Sequence, residues 1–143
     1  MSLRVVIVDD EPHMLRVTEL SIKKGGYDIV LGRNGREALS LAALERPNLI
    51  VMDVTMPELD GVEATRQLKV RQPEVKVVVL TMHADHDILT QAIRAGANGY
   101  LVKDCSTDEI AQAIDAVALG ETALSPGLAA SMLPRQGAQA QAA

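Results

Sequence analysis

Apolar residues along this chain alternate between short, nearly unbroken runs and longer stretches with a helical repeat. The runs are Val5 to Val8, Tyr27 to Leu31, Leu49 to Met52, Val75 to Leu80 and Gly99 to Val102. Runs of this length, rich in β-branched residues, read as strands buried on both faces. The third run is the one the chain is arranged around. Leu49 to Met52 ends at an acid, Asp53, and Pro57 beyond it cannot extend a ladder, while Asp60-Gly61 supplies turn chemistry.

The stretches between the runs predict helices. One starts at Pro12, with Asp10 or Glu11 as its cap, and runs to about Lys24, where Gly25-Gly26 ends it. Asn34-Gly35-Arg36-Glu37 has a capping-box layout and opens a second helix carrying Ala38, Leu39, Leu41, Ala42 and Leu44. A third spans about Leu59 to Arg71 and stops before Pro73; a fourth carries Ile88, Leu89, Ala92 and Ile93 and ends at Gly96. Ser106-Thr107-Asp108-Glu109 is another capping box, followed by Ile110, Ala113, Ile114, Val117 and Ala118 on one stripe. Five strands alternating with five helices predict an α/β fold, a parallel sheet with right-handed crossovers and helices on both faces. Ser125-Pro126 is a candidate start for a short helix through Met132, and Gln136 to Ala143 reads as a disordered or linker tail.

Composition narrows the class. The 143 residues suit one domain with one core, and with no Phe or Trp and two Tyr that core is aliphatic. A net charge of -5 argues against nucleic-acid binding by this stretch. One cysteine, Cys105, excludes an internal disulfide and fits a reducing cytoplasm. No apolar run approaches the roughly 18 residues of a membrane span, and Val5 to Val8 is too short for a signal peptide, so a soluble cytoplasmic protein is expected.

Candidate chemistry collects at the carboxyl ends of the runs: Asp9 and Asp10 after the first, Asp53 after the third, Thr81 after the fourth, Lys103 after the fifth. Parallel strands bring these ends to one edge of a sheet, where open α/β folds place their sites. Three acids there repel one another and raise at least one pKa. A divalent cation relieves the repulsion, and Mg²⁺, with oxygen ligands from one or two carboxylates, waters and a phosphate, suits the set. Asp53 is then free to attack phosphorus, Lys103 offers a point charge to the transferred group, and Thr81 a hydroxyl. Singly, each of these residues has an ordinary explanation as a cap, a strand end or a surface charge. Their coincidence is what signals a site. His83 and His86, with Asp85 between them, read as exposed loop residues with no third ligand evident for zinc, Cys105 reads as an unreactive thiol, and neither a GxGxxG nor a Walker pattern is present.

On Asp9-Asp10, on Asp53 with Met56-Pro57 and Asp60-Gly61, on Thr81, and on Tyr100 with Lys103, the chain resembles a response-regulator receiver domain of bacterial two-component signalling over residues 4–120. The resemblance implies a flavodoxin-like (βα)5 doubly wound sandwich with a five-stranded parallel sheet of order 2-1-3-4-5. It implies phosphotransfer from a sensor histidine kinase to Asp53, and Mg²⁺, which Mn²⁺ can replace, held by Asp10, Asp53 and the Thr55 backbone carbonyl, with Asp9 orienting a metal-bound water. Thr81 and Tyr100 would form a switch that reports phosphorylation through dimerisation or an output domain. Thr81-Met82-His83, Leu101 to Asp104 and Ala118 to Pro126 resemble receivers of the LuxR/NarL type. DNA would then be reached only through a helix-turn-helix domain outside this chain, with residues 121–143 as linker or tail. A fragment of a longer regulator is expected over a natural single-domain form. The rival from another class is a Mg²⁺-dependent aspartyl-nucleophile phosphatase, which typically carries a DxD motif after the first strand where this chain has Asp9-Asp10-Glu11. A degenerate receiver acting by contact alone ranks last, because all the site residues are present.

Overall fold

A computed structural model describes residues 3–82, 85–103 and 106–124 of the chain. Its elements follow the order β1 (Arg4–Val8), α1 (Pro12–Lys23), β2 (Asp28–Gly32), α2 (Gly35–Glu45), β3 (Leu49–Asp53), α3 (Gly61–Arg71), β4 (Lys76–Thr81), α4 (His86–Ala95), β5 (Gly99–Val102), α5 (Thr107–Ala118) and β6 (Ala123–Leu124). All pairings in the sheet are parallel, in the order β2-β1-β3-β4-β5-β6. This is the flavodoxin-like doubly wound fold, with one short strand added to the expected five.

Side-chain alternation sorts the aliphatic runs onto two faces. Val6, Val8, Ile50, Met52, Val77 and Val79 pack with residues of α2, α3 and α4. Val5, Ile7, Leu49, Val51, Val78 and Leu80 pack with residues of α1 and α5 on the other side. Every residue of β3 is buried, as befits the middle of the sheet.

Local chemistry explains most element boundaries. Asn34 Oδ1 accepts from Glu37 N–H at 2.8 Å, and Ser106 Oγ accepts from Glu109 N–H at 3.1 Å, so both capping-box residues cap as expected. Two expectations are corrected. Neither Asp10 nor Glu11 caps α1; Glu11 holds the cap position without a side-chain bond, and Asp9 Oδ1 accepts its N–H instead, at 3.0 Å. Helix α3 begins at Gly61, after an Asp60 cap whose Oδ1 accepts from Glu63 N–H at 2.8 Å. Beyond the expected five strands, Ala123 and Leu124 pair with Gly99 and Tyr100 of β5 as a sixth. The short helix from Ser125, the tail from Gln136, and His83 and Cys105 lie outside the described residues.

Candidate active site at the carboxyl edge of the sheet

Register places the chemistry. Val8 pairs with Met52, so the chain positions that follow them, Asp9 and Asp53, leave the sheet side by side. Asp53 pairs with Leu80 and Thr81 with Val102, which brings Thr81 and then Lys103 to the same edge. The backbone ties the ends together: Val54 N–H donates to the Leu80 carbonyl, and Lys103 N–H to the Thr81 carbonyl.

Asp9 and Asp53 are buried, while Asp10 is exposed. Their carboxylate oxygens lie within 4.8 Å of one another, the one such cluster of three His, Cys, Asp or Glu side chains among the described residues. Lys103, its side chain only 6% exposed, bridges the two buried acids: Nζ is 3.1 Å from Asp9 Oδ2 and 3.2 Å from Asp53 Oδ2. Asp53 Oδ1 accepts from Thr55 N–H at 3.3 Å. Burial, and then the charge of Asp9, push the Asp53 carboxyl up to about 6, against the opposing pull of Lys103 and Thr55. Burial lowers the Lys103 ammonium, but its bond to Asp9 and the charges of Asp53 and Asp9 outweigh this, and the net direction is upward.

The arrangement fits a hard cation. It offers three carboxylates, and the buried Asp9 Oδ2 is met by the Lys103 ammonium at 3.1 Å but by no further hydrogen-bond donor. Asp10 opens onto a cavity of about 260 Å³ between α1 and the end of β2, lined by Asp9, Pro12, Leu15, Arg16, Glu19, Leu31 and Arg33. Sequence reading overlooked this groove, although Pro12, Arg16 and Glu19 recur at helical spacing.

Thr81 is buried at the end of β4, and Tyr100 lies deeper in β5, 6% exposed. The Tyr100 hydroxyl donates to the Ala97 carbonyl at 2.6 Å, and burial pushes its pKa up to about 12. Thr81 and Tyr100 both line a small cleft of about 10 Å³ together with Asp85, Ile88, Leu89 and Ala92 of the α4 side. Asp85 caps α4 and His86 begins it, and neither belongs to the acid cluster.

The Asp60-Gly61 turn does more than reverse the chain. Gly61 N–H donates to the Val54 carbonyl at 2.8 Å, and a Cβ at Gly61 would fall 2.2 Å from the Asp53 carbonyl oxygen. Only glycine lets α3 start this close to the strand end that presents Asp53.

With this geometry in view, comparison with known proteins is decisive: the response regulator receiver domain profile matches residues 5–115. The chain belongs to the response regulator receiver domain family. It is 37% identical over 128 residues to the transcriptional regulatory protein DegU of Brevibacillus brevis, covering 87% of this chain and 53% of that one. It is 34% identical to the response regulator protein VraR of Staphylococcus aureus, covering 99% of this chain and 68% of VraR. The crystal structure of a LuxR-family two-component response regulator from Aurantimonas sp. SI85-9A1 superposes with a TM-score of 0.89 at 31% identity, over 95% of this chain and 99% of that one. The receiver thus spans about half to two thirds of the length of such curated relatives. Among its described residues no helix is long and apolar enough to cross a membrane.

Proposed function

We propose that this receiver is a phosphoacceptor switch in which Asp53 takes a phosphoryl group from a sensor histidine kinase. An Asp53 carboxylate oxygen attacks phosphorus, an O–P bond forms as the P–N bond to the kinase histidine breaks, and the acyl phosphate stays on the strand end. The observation that carries this reading is Lys103, a buried ammonium held 3.2 Å from the nucleophile and 3.1 Å from Asp9, where it meets the charge of an arriving phosphoryl. Asp10, Asp53 and the Thr55 carbonyl are the residues to hold Mg²⁺, or Mn²⁺ in its place, with Asp9 orienting a bound water; the ion supplies charge neutralisation at the transferred group. Thr81 offers its hydroxyl to a phosphoryl oxygen. Movement of Thr81 toward the new group, with Tyr100 following into the cleft that both residues line, shifts the population between two surfaces.

The output we propose is dimerisation or control of a DNA-binding region in a cytoplasmic transcriptional regulator, in line with the similarity to the transcriptional regulatory protein DegU and to the LuxR-family response regulator. The receiver unit would comprise residues 4–124, β6 included, with the residues after it serving as linker.

Intact-mass spectrometry after incubation with acetyl phosphate and Mg²⁺ tests this. One phosphoryl group per chain is expected, lost without Mg²⁺ and in Asp53→Asn. A gain that persists in Asp53→Asn places the nucleophile elsewhere. Multiple turnovers of phosphate release with no stoichiometric adduct would favour the aspartyl phosphatase.

A further inference from the structure

The loop between β3 and α3, residues 54–60, shapes the acid site from outside the carboxylates. It carries Thr55, whose N–H meets Asp53, and it ends at the Asp60 cap of α3. Gly61 holds one side of this loop. The other side rests on the start of α2.

Gly35, the first residue of α2, is buried, and a Cβ there would lie 2.3 Å from the Leu59 carbonyl oxygen and 3.0 Å from Leu59 Cβ. The closest of these atoms is backbone, so no rotamer change relieves the contact. Nor is Leu59 free to retreat. Its N–H donates to the Pro57 carbonyl at 2.8 Å around Glu58, which sits at φ 68, a tight turn that a side-chain-bearing residue adopts only when its surroundings hold it there. The α2 side is equally fixed, with Asn34 capping the helix and Glu37 Oε1 accepting from Arg33 N–H at 3.2 Å. The Arg36–Glu58 ion pair that crosses the contact is exposed at both ends and adds little. What lets the two elements meet this closely is the absence of a side chain at Gly35.

We propose that Gly35 is a positioning residue for the acid site: by letting a capped helix end abut the Leu59 backbone, it sets where the loop carries Thr55 relative to Asp53. The proposal rests on the reading of the acid cluster as a cation and phosphoryl site. Ordinary helix energetics point the other way, since alanine is favoured over glycine within a helix. A loss of cation affinity without a loss of helix therefore identifies the contact.

The test is Mn²⁺ titration followed by electron paramagnetic resonance on the whole chain, for wild type, Gly35→Ala, Asn34→Ala and Leu59→Gly. Gly35→Ala is expected to weaken Mn²⁺ binding about tenfold, the scale of outer-shell changes at metal sites, and to shift the Thr55 amide resonance. Asn34→Ala, which loses only the cap, should lower the melting temperature and leave affinity alone. Leu59→Gly loosens the loop from the opposite side and should also weaken binding; it decides the matter if Gly35→Ala does not fold. Affinity within about twofold of wild type in the folded loop variant, or an equal loss in Asn34→Ala, overturns the proposal. A wild-type chain that binds no Mn²⁺ overturns instead the reading on which it rests.

Discussion

At the scale of single residues, Asp53 pays for its position in stability. Its carboxyl titrates near 6 in the fold against an ordinary value of 3.8, so the folded state disfavours its charge. A raised carboxylate pKa contributes stability that is fully present below about pH 4 and is lost as pH rises through 6. Asp53→Asn removes that liability. At pH 7.5 the variant should be more stable than wild type by about 1–3 kcal/mol, with the gap closing as pH falls toward 4; urea unfolding at the two pH values measures it. Thr18 is a second residue whose chemistry sits badly with its place: fully buried in α1, its hydroxyl lacks a hydrogen-bond partner. Thr18→Val keeps the shape and removes the unsatisfied group, and should add about 1 kcal/mol in the same unfolding experiment.

At the scale of elements, β6 is the part that sequence pattern missed, because two residues, Ala123 and Leu124, show no periodicity. Its cause is tertiary. Gly120, at φ 95, turns the chain after α5, and Glu121 N–H donates back to the Ala116 carbonyl. Ala123 then buries against β5 and α5, and its N–H donates to the Asn98 carbonyl. The strand covers the open edge of β5 over Gly99 and Tyr100. A chain cut after Gly120 should melt several degrees lower, as a loss of about 1 kcal/mol implies for a domain of this size, and should self-associate through the uncovered edge. Calorimetry and sedimentation of the cut and uncut chains test both outcomes.

At the scale of the whole molecule, the acid site and the fold are one thermodynamic system. Asp9, Asp10 and Asp53 converge only when the sheet is formed, so a cation that binds them stabilises the native state by mass action. Mg²⁺ at one hundred times its Kd should add about 2.7 kcal/mol, read as a rise in melting temperature. Asp53→Asn should lose most of that increment. The two effects at Asp53 are then separable, since the variant is the more stable protein without Mg²⁺ and gains least from it.

How much was legible without coordinates follows from what each signal depends on. Strand and helix type, the α/β class and the identity of Asp9, Asp10, Asp53, Thr81 and Lys103 as candidates depend on local patterning and on one topological rule, that parallel strands bring their carboxyl ends to one edge. The sequence by itself determined those. Element edges depended on competition among neighbours: Asp9 rather than Asp10 or Glu11 takes the Glu11 N–H, because Asp9 is held beside it at the end of β1. The Lys103 bridge, the choice of Asp53 as the acid whose pKa rises, the groove beside Asp10, and the fit of Gly35 and Gly61 against Leu59 and Asp53 were decided only by the tertiary structure. Each depends on how strand ends, loops and helices are placed against one another, and burial and close approach arise only when the sheet and its helices are packed together.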